Sequence, residues 1–348
     1  MQHPAAQVIT PRAIRLTTRT GVEVQRLLPQ AGLRKISAWC FLDHFGPTIA
    51  DDAMVVAAHP HTGLQTATWL IEGAAEHRDS IGSTQVLLPG EFNLMTAGRG
   101  IAHSELGVTP PEPTVDTSTL LTIAEQRALG HFGGETSSSN TRGDGRAVNV
   151  MHAVQLWIAL PDSVRNIEPS FEHHAVLPRV IGRGFHARVF AGSFHGVTSP
   201  ATMHWPLVGA QFGLDSREGV VLPIQPDFEH GIMPLNGSLE VDGRHVNAGE
   251  LIYLPAGDAG VTVLAHRPGT EAMLIGGKPF EEHLVMWWNF IGRSHREIVE
   301  MRELWNARGS ELTEEVTASH DRFGAVFTDQ VGGWIPAPEL PNVELRAR

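Results

Sequence analysis

An internal repeat constrains this chain more than any other feature. The segment WLIEGAAEHRDSIGSTQVLLPGEFNLMTAG aligns with MPLNGSLEVDGRHVNAGELIYLPAG. Gly73 and Glu76 match Gly237 and Glu240 at an offset of 164, and Gly90, Glu91, Ala97 and Gly98 match Gly249, Glu250, Ala256 and Gly257 at an offset of 159. The difference falls in the intervening turn, where extra residues cost little. Each copy reads as apolar strand, Gly turn, strand, Gly-Glu turn and strand. Such a unit is not stable as a lone open hairpin and closes into a small barrel or double-sheet jelly roll. Two copies therefore predict an all-β chain of two stacked jelly-roll β-barrel domains.

The length of 348 residues suits two domains better than one core. The 36 glycines and 23 prolines punctuate short apolar runs such as Val55 to Ala58 and Val86 to Leu88, the texture of strands joined by turns. Helical signals are few. Ser294 and Glu297 form a capping-box pair, with Ile298, Met301 and Trp305 following on one face, which predicts a short C-terminal helix. A weaker helical pattern runs from about Ser118 to Leu129, where Gly130 would end it. The stretch GHFGGETSSSNTRGDGR reads as a linker or surface loop and sets the expected boundary. Residues 1–147 form the first domain, with a long insertion from about 108. Residues 148–348 form the second, with the helix and a Pro-rich tail.

With 26 basic against 38 acidic residues, the net charge of -12 has the wrong sign for direct nucleic-acid binding or an anionic membrane surface. The start, MQHPAAQVITPRAIRL, lacks the apolar core of a secretory signal, and no apolar run approaches the roughly 20 residues of a membrane helix. The expectation is a soluble cytoplasmic protein. A single cysteine, Cys40, excludes an internal disulfide and a thiolate metal cluster, so any metal must sit on nitrogen and oxygen.

Such ligands are present in the first copy. In HPHTG, His59 and His61 stand two apart and share one face of a strand. Alone this means little, because 19 histidines produce an H-x-H pair about once by chance. GRGIAHSE adds His103 and Glu105 at the same spacing after a Gly-rich turn. Three imidazoles and a carboxylate suit one divalent metal: iron(II), manganese, cobalt, nickel, copper or zinc, with positions open to water or substrate. The repeat sharpens this. At the same offsets the second copy has Pro223, Gln225, Thr262 and Leu264, so all four ligating groups are lost together. One metal per chain, in the first domain, is the expectation.

The motifs HPHTGLQTATWLIEGAAEHRDSIGS and MTAGRGIAHSE resemble the signature of the pirin family, bicupins of the cupin superfamily. FLDHFGP at 41–47, VQLWIALP at 154–161 and IGGKPFEEHLVMWWNFIGRSHREI fit the same pattern. The resemblance implies two stacked cupin barrels with a single metal, usually iron, held by His59, His61, His103 and Glu105. It implies quercetin 2,3-dioxygenase chemistry with dioxygen on a flavonol or another small aromatic or enediol substrate. A carboxylate at the metal lies within reach of the substrate hydroxyl proton, so Glu105 is expected to be the catalytic base. It also offers a second role, that of a metal or redox sensor read by a protein partner. The oligomeric state is left open. The sequence departs from the pattern at Gln65, where cupins in general and most pirins carry a glutamate. Gln65 either supports the site by donating to Glu105 or a bound oxygen, or simply packs.

Other residues have plainer expectations. His77, in the hairpin, is placed on the surface, His173 and His174 in a solvated loop, and Cys40 as a buried inert thiol. His44 is expected to pack in the core or on the surface, although its segment could pass near the metal. The tail GWIPAPELPNVELRAR either crosses onto the first domain, meets a second subunit, or is disordered.

Overall fold

The computed structural model describes residues 5–15, 23–50, 55–109, 149–307, 322–324 and 334–347. The expected helix at 118–129 and the linker at 130–146 lie outside these residues.

Two antiparallel sheets make the first barrel. The larger runs in the order Ser170–His174, Phe92–Thr96, Leu64–Glu72, Asn149–Ala159, Trp39–Ala50, Glu23–Leu28 and Arg12–Arg15. The smaller runs Val55–His61, Ile101–Gly107, Ala75–Asp79 and Thr84–Leu87. The second barrel repeats this plan. Its larger sheet runs Gln7–Ile9, Leu251–Leu254, Glu229–Pro234, Thr270–Gly277, Leu207–Leu214, Phe185–Phe194 and Arg179–Ile181, and its smaller Val220–Pro223, Gly260–Ala265, Ser238–Val241 and Arg244–Asn247.

The matched Gly-Glu turns explain why the repeat survives in sequence. Gly90 and Gly249 take φ of 81° and 79°, a region that penalises any side chain. Their amides donate to Leu70 O and Pro234 O. The carboxylates of Glu91 and Glu250 accept from the amides of Leu88 and Asn247 at 2.8 and 2.9 Å. Both residues of the turn are therefore fixed by backbone geometry.

The barrels exchange their outer strands. Gln7–Ile9, from the start of the chain, pairs with Leu251–Leu254 of the second barrel. Ser170–His174 takes the equivalent edge of the first, against Phe92–Thr96. The boundary expected near residue 148 falls immediately before Asn149–Ala159, a central strand of the first large sheet. The chain passes to the second barrel between His174 and Arg179.

One continuous core joins the two large sheets. Trp39, Trp69 and Phe92 pack with Phe190, Met233, Tyr253 and Met273. Trp39 Nε1 donates to Gly276 O at 3.0 Å, so the indole is buried without an orphaned donor. Cys40 lies in this core, its thiol pushed up to about 12 by burial, which agrees with an inert role.

The helix forms where expected, at His295–Ala307, with Ile298, Met301 and Trp305 buried. It packs on the first barrel, not the second. The Thr62 hydroxyl donates to Met301 Sδ at 2.9 Å, and Ala102 shares a cluster with Ile298, Met301 and Trp305. The tail follows. Trp334 bridges Ala58 in parallel, and Ile335 N donates to Ala58 O. Trp305 Nε1 then donates to Ile335 O at 2.9 Å. Of the arrangements open to it, the tail crosses onto the first barrel.

Candidate metal centre and cavity

The strands Val55–His61 and Ile101–Gly107 pair so that His103 faces His59 and Ile101 faces His61. Directly opposed residues share a face, and so do residues two apart, so the three imidazoles converge. Ring centroids are 4.4 Å apart for His59 and His103, and 5.0 Å for His61 with either. One nitrogen of each lies within 4.8 Å of the others. The register shifts between His103 and Glu105, a bulge that re-aims the carboxylate.

All three rings are buried. Burial pushes His59 down to about 4 and holds His61 and His103 well below the usual histidine value, the nearby imidazoles adding to the effect. They are neutral at pH 7, the form a metal requires. Each is also tied by one nitrogen. His59 Nδ1 donates to Ala57 O at 2.8 Å, which leaves Nε2 as its lone pair. His61 bonds the Asn289 backbone carbonyl, and its Nδ1 has no partner among the described residues. His103 Nδ1 lies 3.3 Å from His77 Nδ1, and its Nε2 is likewise unpartnered. Buried nitrogens left unpaired are costly, and two in one cluster fit the donor set of a metal ion.

Glu105 lines the same cavity, half-buried, but groups with His103 and His77 instead of completing the cluster of three histidines. Burial raises its carboxyl above the ordinary range, opposed by His77 and the Thr68 hydroxyl.

The cavity has a volume of about 340 Å³ and is lined by His59, His61, His103 and Glu105. Its apolar wall is a stack, Trp157 on Phe41, with Trp157 meeting His61 edge-on at 5.1 Å. The Arg26 guanidinium lies 4.4 Å from the Phe41 centroid and is held by Asp43 through two bonds of 2.7 Å. Trp288, Asn289 and Ile335 also line the cavity, brought by the segments that pack against the first barrel. Phe41, Asp43, Gln155 and Trp157 lie within motifs quoted above. Their alternation along two strands was the signal that could have placed them at the site. Nothing local marks Arg26 or Ile335.

Several expectations need correction. His77 is buried, not on the surface, because its hairpin lies inside the small sheet and Phe171 of the exchanged strand covers it, ring centroids 4.4 Å apart. His173 and His174 belong to that strand and are half-buried. His44, by contrast, packs as expected and away from the cavity, its Nε2 2.7 Å from His152 Nε2 and its Nδ1 near Gly249 of the other barrel. Gln65 packs too. Its amide donates to Thr96 Oγ1 at 2.9 Å and Thr202 O at 3.0 Å, and it does not line the cavity.

In the second barrel the equivalent interior is closed by apolar side chains. Thr262 pairs with Val221 and Pro223 with Gly260, while Leu222, Val261 and Val263 are fully buried between them.

Residues 21–119 match the pirin family, and residues 209–311 match the pirin C-terminal cupin domain. The chain is 39% identical to a Pseudomonas aeruginosa protein over 96% of its own length and 90% of the relative's. The chain belongs to the pirin family. That relative carries quercetin 2,3-dioxygenase as a provisional name. A pirin-like protein of Caulobacter vibrioides is 32% identical over 84% of this pirin and 91% of the relative. The crystal structure of a quercetin 2,3-dioxygenase from Acinetobacter baumannii matches with a TM-score of 0.80 at 35% identity, covering 99% of this chain and 98% of that one. No helix of the described residues is long and apolar enough to cross a membrane.

Proposed function

We propose that this pirin is a metal-dependent dioxygenase of quercetin 2,3-dioxygenase type, opening the heterocycle of a flavonol with dioxygen and releasing carbon monoxide. His59, His61, His103 and Glu105 hold one divalent metal, iron(II) before manganese, cobalt, nickel, copper or zinc. The observation that carries the reading is the cavity of about 340 Å³ opening on these four residues. A few hundred Å³ with aromatic walls and a few convergent polar groups is what a small aromatic ligand needs. A metal serving only as a sensor for a protein partner has no use for such a space.

The metal supplies a Lewis acid for the substrate oxygens and a route for electrons to dioxygen. The protein's own residues do the rest. Glu105, lining the cavity beside the histidines, takes the proton of the flavonol 3-hydroxyl. The Phe41 and Trp157 rings hold the planar substrate and exclude water. The similarity to quercetin 2,3-dioxygenases over nearly the whole chain supports the same reading.

Two measurements test the assignment. Metal analysis after reconstitution should give one ion per chain, lost in His59→Ala protein. Glu105→Gln should keep the flavonol bound and lower kcat by about 10²-fold or more. Full turnover by Glu105→Gln would remove Glu105 from the base role.

A further inference from the structure

We propose that Asp79 and His77 are positioning residues for the metal centre, acting as a tautomer relay that keeps the lone pair of His103 on Nε2. The inference rests on the reading of His103 as a metal ligand.

The relay begins in a turn. The amides of Ile81 and Ser83 both donate to Asp79 Oδ1, at 3.1 and 2.9 Å, which fixes the carboxylate and leaves Oδ2 facing His77. His77 Nε2 lies 3.1 Å from that oxygen. A carboxylate only accepts, so His77 Nε2 carries a proton, and a neutral His77 then keeps its lone pair on Nδ1. His77 Nδ1 in turn lies 3.3 Å from His103 Nδ1. Two nitrogens at that distance need one proton between them, and His103 must supply it. The remaining nitrogen of His103, Nε2, is then a buried lone pair without a partner, as a metal ligand should be. Phe171 stacks on His77 with planes 15° apart and keeps the ring from rotating out of line. Partners behind a ligating imidazole commonly contribute 10–100-fold in metal affinity by fixing its tautomer.

Asp79→Asn is the discriminating variant. The Asn oxygen keeps the two turn amides and the NH₂ group faces His77, so His77 is forced to accept at Nε2 and carry its proton on Nδ1. His103 then accepts at Nδ1 and carries its proton on Nε2, the wrong tautomer. His77→Phe keeps the stack on Phe171 and removes the relay without inverting it. The expected order of Zn(II) affinity, measured by competition with a chromophoric chelator, is wild type, then His77→Phe, then Asp79→Asn at least about tenfold below wild type. A merely structural role gives the opposite order for the two variants, because Asp79→Asn is the smaller change in shape. In ¹⁵N-histidine spectra of the metal-free wild type, His103 should be protonated on Nδ1 and His77 on Nε2, with both reversed in Asp79→Asn.

A wild-type His103 protonated on Nε2, or a folded Asp79→Asn protein with unchanged Zn(II) affinity, would overturn the relay. If Asp79→Asn does not fold, the wild-type tautomers decide. If wild type itself binds no Zn(II), the reading of the metal centre fails instead, and the tautomers still decide the relay.

Discussion

Trp157 stacks on Phe41 across neighbouring strands of the first barrel, ring centroids 3.9 Å apart and planes 11° from parallel. Both rings face the cavity beside the histidines, so a pair that stabilises the sheet also forms the cavity wall. Trp157→Ala should destabilise the metal-free protein by about 3 kcal/mol in urea unfolding. It should also weaken flavonol binding about tenfold, near 1.4 kcal/mol. Unchanged flavonol affinity would place the substrate elsewhere.

The Arg26 and Asp43 pair lies at the same cavity, with Asp43 almost fully buried. Removing one partner strands the other. Asp43→Leu alone should cost about 3 kcal/mol, whereas Arg26→Leu with Asp43→Leu should cost much less than the two single changes together. A double-mutant cycle by chemical denaturation reads this directly.

Gln65 is the departure from the family pattern, and its amide hydrogens serve Thr96 and Thr202. Gln65→Glu at pH 7 puts a buried carboxylate against the Thr202 carbonyl. The expected result is a loss of about 2 kcal/mol in stability with no gain in metal affinity. Tighter metal binding would show that residue 65 reaches the site after all.

His44 and His152 form a buried pair between the barrels, both pushed down to about 4 by burial. Unfolded histidines titrate near 6.5, so between pH 6.5 and 4 the unfolded chain binds more protons and stability falls as pH falls. Above about pH 7 this contribution is constant. Metal-free wild type should therefore lose stability between pH 7 and 5. Replacing both residues with Leu should make that dependence shallower, by up to about 1.4 kcal/mol per pH unit for each histidine removed. Equal slopes would contradict the assignment.

The parts legible in the sequence are those fixed by local geometry. Gly90 and Gly249 must take positive φ, Glu91 and Glu250 must hold their turns, and strand alternation puts His59, His61 and His103 on one face. What escaped was set by partners far along the chain. His77 reads as exposed in its hairpin and is buried only because Phe171, from the strand exchanged onto this barrel, lies over it. Ile335 reaches the cavity because Trp334 bridges Ala58 and Trp305 holds its carbonyl, a contact no local pattern encodes. Gln65 stands four residues past His61, and only its bonds to Thr96 and Thr202 show that its amide serves packing instead of the site.

The central claim is that the first barrel opens flavonols at a single metal. It is tested most directly by reconstituting metal-free protein with iron(II) under anaerobic conditions, adding quercetin, and then admitting dioxygen. Flavonol absorbance and carbon monoxide are followed together. The account predicts that one carbon monoxide is released for each flavonol consumed, and that His103→Ala abolishes both signals. Flavonol loss without carbon monoxide, or no turnover with any of the divalent metals named, would contradict it.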